Sequence, residues 1–176
     1  MMAGRIEVLI SGFGGQGVVR IGQTLSLAAV YQGLHTTMLI SHGTETRGGY
    51  VRSQVVIAGE PVDSPVVERP DYFCALSSAA YNRFKHLVRD GLILYDPGYL
   101  EPDLSLPVRH IALPARDLAV KNLGREIFAN AIFLGALTRL MAGVLEPEVV
   151  RKAMLERIRV FGEENVKALN LGYSLL

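Results

Sequence analysis

The chain has 176 residues, of which 49% are hydrophobic and 20% charged, with a formal net charge of +1. That length suits one domain with a sizeable core, and so balanced a charge gives no field to draw in nucleic acid or an acidic membrane. The single cysteine, Cys74, excludes an internal disulfide and a thiolate cage for zinc or an iron–sulfur cluster. The opening MMAGRIEVLI leads into a strand pattern rather than a leader. No apolar run reaches the roughly 18–20 residues of a membrane helix, so the expectation is a cytoplasmic protein. High apolar content with modest charge also suits a subunit that buries surface against partners.

Residues 6–10 (IEVLI) predict a buried strand. The turn Ser11-Gly12-Phe13-Gly14-Gly15-Gln16-Gly17 follows, and Val18, Ile21, Leu25 and Ala28 then recur at helical spacing. Strand, glycine turn and helix in succession make the first half of a βαβ unit. Glycine lets the turn take positive φ and lets another backbone or a ligand come close. The N–H groups of such a turn, added to those of the helix start, make an anion cradle.

Gly33 closes this helix and residues 36–40 read as a second strand. A polar loop over 41–49 leads to a β-rich stretch over 50–58 and a turn through 59–65. Strands over 71–76 and 92–95 flank a helix over 77–88. A terminal strand over 108–113 precedes helices over 115–123, 125–141, 147–160 (with Pro147 in its first turn) and 163–169, then an arm over 170–176. The alternation predicts a three-layer α/β/α fold, Rossmann-like, with a mostly parallel sheet and a helical C-terminal part. The stretch over 50–58 makes the sheet mixed. No linker or repeat divides the chain, so 1–176 is read as a single domain.

Gly12-x-Gly14-x-x-Gly17 matches the dinucleotide fingerprint, which also requires an acid at the end of the second strand. Here that strand ends Leu39-Ile40-Ser41-His42-Gly43, and Glu45 comes only inside the following loop. The turn is therefore read as a tight turn or an anion or partner contact, ahead of a nicotinamide or flavin site. Ser77-Ser78 lacks a nucleophile elbow, Cys74 reads as a core thiol, and among the histidines only His42 adjoins the polar loop. That loop, with Thr44, Glu45, Thr46, Arg47, Gly48 and Gly49, sits at the carboxyl edge where open sheets bind ligands. Arg47 is suited to clamp a carboxylate or phosphate, or to pair with Glu45 or across a subunit contact.

Gly12-Phe13-Gly14-Gly15-Gln16-Gly17-Val18 with Gly22 and Leu25, the run from Gly43 to Gly49, Ser64-Pro65 with Asp71, and Asn130 with Leu134-Gly135-Ala136 follow one another along almost the whole chain. Together they resemble the gamma subunit of the 2-oxoacid:acceptor (ferredoxin) oxidoreductases. The resemblance implies a complex that oxidatively decarboxylates a 2-oxoacid to acyl-coenzyme A and CO₂ and passes the electrons to ferredoxin. It implies thiamine diphosphate, Mg²⁺ and iron–sulfur clusters on alpha, beta and, where present, delta subunits, and none of these on this chain alone. This chain would scaffold the assembly and help form the coenzyme A or substrate site, with no catalytic residue and no metal of its own. Gly12, Gly14, Gly15, Gln16, Gly17 and the loop from Thr44 to Gly49 are its ligand or interface candidates. Isolated, it would be inactive and a homodimer. The rival readings are the equivalent subunit of an indolepyruvate oxidoreductase and a free-standing NAD(P)-binding protein.

Overall fold

The computed structural model describes residues 4–43 and 49–176. Six strands, β1 (Arg5–Gly12), β2 (His35–His42), β3 (Val51–Ala58), β4 (Tyr72–Ala75), β5 (Leu92–Tyr95) and β6 (Arg109–Ala112), form one sheet in the order β2-β3-β1-β4-β5-β6. β1, β4, β5 and β6 run parallel, while β3 is antiparallel to both β1 and β2. The sheet is thus mixed, as the stretch over 50–58 predicts. The sequence order hides one feature: β3 enters between β1 and β2, so the first βαβ unit is split by a hairpin strand.

Helix α1 (Val18–Tyr31) buries Val18, Ile21, Leu25, Ala28 and Ala29 against the sheet and ends before Gly33, whose φ of 73° suits only glycine well. It shares its face of the sheet with α3 (Ala115–Leu123), α4 (Ala129–Leu140), α5 (Pro147–Arg157) and α6 (Gly162–Ser174). The other face carries α2 (Ser78–Phe84) over Leu9, Val56, Phe73 and Ile93. This is the expected three-layer arrangement. Among the described residues no helix is long and apolar enough to cross a membrane.

Two helical expectations need correction. The span 125–141 divides into a 3₁₀ turn (Glu126–Phe128) and α4, and the span 147–160 stops at Arg157. The expected terminal arm is instead the second half of α6. The cause is close helix packing: a Cβ at Gly172 would lie 2.7 Å from the carbonyl carbon of Ile132, and one at Gly135 would lie 2.8 Å from the backbone nitrogen of Tyr173. Glycine at both contacts lets α4 and α6 meet backbone to backbone, so a segment with a weak apolar pattern is held in place.

At the amino end of β1 a dense polar network pins the connection over residues 59–71. One Glu7 carboxylate oxygen accepts from the backbone N–H groups of Glu68 and Arg69, both at 2.8 Å, and the other accepts from Arg5 Nε at 2.8 Å. The same guanidinium donates to the carbonyls of Ser64 and Val66, and the Asp71 carboxylate accepts from Glu7 N. Ser64 and Asp71 therefore belong to a structural staple.

Candidate functional site

At the carboxyl end of β1 the chain turns through Gly12–Gly17 into α1, while β4 lies on the other flank. That is the switch point where open α/β sheets form a crevice. Gly15 and Gly17 have φ of 88° and 83°, the left-handed conformation. Gln16 braces the turn: its Oε1 accepts from Phe13 N at 2.6 Å and its Nε2 donates to Leu76 O, at the end of β4, at 2.8 Å. A Cβ at Gly12 would lie 2.7 Å from that of Leu76, so the brace depends on glycine there. Both polar ends of Gln16 are thus engaged, one within the turn and one at the end of β4.

The glycine turn borders a cavity of about 520 Å³. Gly14, Gly15, Gly17 and Arg20 form one wall, His42 and Val51 a second, and Ile127, Asn130, Val160, Phe161 and Asn165 a third. Two helix amino ends meet here. α1 starts at Gly17 and α4 at Phe128; neither has a side-chain cap, and neither has an acid in its first turn. Both positive dipole ends thus lie at the cavity, that of α4 behind the 3₁₀ turn, whose Glu126 carbonyl accepts from Ala129 N. Among the described residues no acidic side chain lines it, and Arg20 and His42 are the cationic or titratable ones that do.

Asn130 joins these two ends. Its side chain lies so close to Gly17 that a Cβ there would come within 2.6 Å of Asn130 Cβ. Asn130 Oδ1 is buried and has no hydrogen-bond partner among the described residues. An unmet buried acceptor costs free energy, and Asn130 is one of the residues that line the cavity. The rim is apolar and open: Phe13 is 40% exposed, Ile127 49%, Val160 59% and Phe161 43%. Phe161 is the one non-glycine residue with positive φ (55°) among the described residues. Asn165 Nδ2 holds that corner by donating to the carbonyls of Val160 and Phe161, and the Arg125 guanidinium lies 4.8 Å over the Phe161 ring.

A smaller cavity of about 120 Å³ lies on the other flank of the turn, between Gln16, Leu76, Asp96 and Tyr99. Asp96 is buried but satisfied, since its carboxylate accepts from Gly98 N and Arg116 N. Burial pushes the Cys74 thiol up, away from the reactive thiolate. His110 pairs with Tyr81 Oη at 2.9 Å, away from the turn. Of the sequence candidates, Gly14, Gly15 and Gly17 line the larger cavity and Gly12 and Gln16 support it. Thr44, Glu45, Thr46, Arg47 and Gly48 lie outside the described residues. Gly49 is described, and Gly43 N donates to Tyr50 O at 2.7 Å at the base of that hairpin. The base stands beside the turn, because His42 pairs with Val51 and Val51 with Gly12.

Arg20, Ile127, Phe161 and Asn165 escape a sequence reading of the site. They come from helix starts up to about 150 residues away in the chain, and only Asn130, a polar residue at the head of an apolar helix, carries a visible signal. The donor set does not fit an iron–sulfur cluster or a Mg²⁺–diphosphate group: the one cysteine is buried, and no cluster of three His, Cys, Asp or Glu able to hold a metal occurs among the described residues.

Residues 7–175 match the model of the family described as pyruvate ferredoxin/flavodoxin oxidoreductase. The 2-oxoglutarate synthase subunit KorC of Methanocaldococcus jannaschii is 36% identical, over 97% of this chain and 94% of that one. The ketoisovalerate oxidoreductase subunit VorA of Methanothermobacter marburgensis is 36% identical over 94% of this chain, which spans only 34% of VorA. Among solved structures, the gamma subunit of a keto/oxoacid ferredoxin oxidoreductase from Geobacter sulfurreducens superposes with a TM-score of 0.82 at 33% identity, covering 98% of this chain and 96% of that one. The chain therefore belongs to the pyruvate ferredoxin/flavodoxin oxidoreductase family, among the gamma-type subunits of 2-oxoacid oxidoreductases.

Proposed function

We propose that this chain works in the cytoplasm as the gamma subunit of a complex that converts a 2-oxoacid and coenzyme A to acyl-coenzyme A and CO₂, with ferredoxin taking the electrons. Thiamine diphosphate, Mg²⁺ and the iron–sulfur clusters fall to alpha and beta partners, and no step through them is assigned to residues of this chain. Its own part is to dock against those partners and to complete the coenzyme A site. The turn N–H groups and the amino ends of α1 and α4 hold an anionic group, flanked by Arg20 and His42. Asn130 Oδ1 accepts from a donor on the same occupant. Phe13, Ile127, Val160 and Phe161 cover it from water. Coenzyme A brings phosphates, a base and amides, which match this mixture of anion cradle, apolar wall and lone acceptor.

The observation that carries the reading is the meeting of two helix amino ends without side-chain caps and an Asn130 oxygen that no described residue partners, at one cavity beside the glycine turn. VorA, of which this chain spans about a third, supports a domain that works joined to further polypeptide. The test is co-expression of the chain with its alpha and beta partners, with and without this subunit. Acyl-coenzyme A formation should require the subunit, and the isolated chain should oxidise no 2-oxoacid. Full coenzyme A-dependent turnover by the complex lacking it would refute the reading.

A further inference from the structure

One edge of the sheet is an unguarded strand. β2 pairs with β3 from His35–Ala58 to His42–Val51 without a bulge, and among the described residues it has no strand neighbour on its other side. The bond from Gly43 N to Tyr50 O continues this ladder and fixes its phase. In an antiparallel ladder, alternate residues turn both backbone groups toward the partner. The odd-numbered residues of β2 therefore face β3, and Thr36, Met38, Ile40 and His42 turn their N–H and C=O groups outward. Among the described residues these outward groups have no hydrogen-bond partner. Natural sheets blunt such edges with lysine, proline, bulges or covering elements. HTTMLISH contains no lysine, no proline and no acid, and its Ile40 is 45% exposed.

We propose that this edge pairs with the same edge of a second copy of the chain, antiparallel about a two-fold axis through Leu39. The order of side chains argues for a copy rather than a foreign strand. With the axis at Leu39 all four outward residues find outward mates: Met38 meets Ile40 of the second copy, and Thr36 meets His42. Thr37 meets Ser41 on the opposite face, and Leu39 meets itself. Apolar thus faces apolar, the Thr37 and Ser41 hydroxyls face each other, the Thr36 hydroxyl faces the His42 imidazole, and no like charges oppose one another. Moving the axis by one residue sets Thr36 against Ile40, or Met38 against His42, and leaves an outward residue without a mate. Around Leu39 the inner pairs Met38/Ile40 and Thr37/Ser41 are chemically palindromic and Thr36/His42 are polar, which suits an isologous contact. The pairing joins two sheets edge to edge, with His42, which also lines the glycine-turn cavity, at each end of the seam.

The test uses the full chain, alone, in light scattering and sedimentation at micromolar concentration, where it should be a dimer. Ile40→Lys sets a lysine against Met38 of the second copy and should weaken the dimer at least tenfold, with an unchanged far-ultraviolet dichroism spectrum as the folding control. Leu39→Cys gives an independent readout. Its two copies face each other in a non-hydrogen-bonded pair with Cα atoms about 4.5 Å apart, within disulfide reach, so mild oxidation should cross-link the dimer. Thr37→Cys places the two sulfurs' backbones about 14 Å apart by strand rise and should not cross-link. Cys74 is buried and does not compete. A monomeric chain, a dimer indifferent to Ile40→Lys, or cross-linking that does not distinguish Leu39→Cys from Thr37→Cys would each overturn the proposal. So would amide protection of residues 36–42 that arises only on adding the alpha and beta subunits.

Discussion

The polar groups at the two ends of β1 are treated in opposite ways. At the amino end every strong group is answered: Glu7 takes three donors, Arg5 reaches two carbonyls, and Asp71 caps Glu7 N. At the carboxyl end, two helices begin without side-chain caps, an amide oxygen is buried with no partner among the described residues, and four apolar side chains stand open around a cavity. Polar groups that complete a fold find their partners within it. Groups left unanswered in a cavity wall point to an occupant. The staple and the site are thus told apart by satisfaction, although Ser64, Asp71, Gly14 and Asn130 all belong to the same family-like pattern.

Substitutions on the two ends should break stability and function separately. The largest effect is expected for Glu7→Ala. It strands the N–H groups of Glu68 and Arg69 and the Nε of Arg5, and should cost about 3 kcal/mol in chemical denaturation, with no change in the apparent KM for coenzyme A beyond that from lost protein. Gly17→Ala comes next. A left-handed φ costs about 1–2 kcal/mol for a residue with a Cβ, and the new methyl drives into Asn130, so both stability and coenzyme A use should fall. Gly14→Ala is the smallest and the sharpest. Its φ is not positive and a Cβ there meets nothing within 4 Å, so stability should stay within about 0.5 kcal/mol. A raised KM for coenzyme A in that variant would then report the approach of ligand to the turn.

Much of this was legible where the determinants are neighbours in the chain. The strand–turn–helix over residues 6–29, the strand at Leu92–Tyr95 and the helix at Ala115–Leu123 all follow from local pattern, and the structure places them there. Long-range features were not legible. Nothing local says that β3 inserts between β1 and β2, or that Gly172 holds the last helix against Ile132. The glycine half of the site could be read because a turn needs glycine. Its other half, Asn130 with Phe161 and Asn165, is assembled by helix packing. A left-handed phenylalanine has no sequence signature at all, since its conformation is imposed by Asn165 and Arg125 around it.

The central claim is that the open end of β1 is a ligand site, and Asn130→Ala in the assembled complex tests it most directly. The substitution removes a buried oxygen that no described residue satisfies, so denaturation of the isolated chain should change by no more than about 0.5 kcal/mol. In steady-state kinetics of the complex, the KM for coenzyme A should rise about tenfold, as loss of one hydrogen bond worth about 1.4 kcal/mol would give, while the KM for the 2-oxoacid stays put. A variant complex with unaltered coenzyme A kinetics, or an isolated chain that loses several kcal/mol of stability, would contradict the account and return Asn130 to the fold.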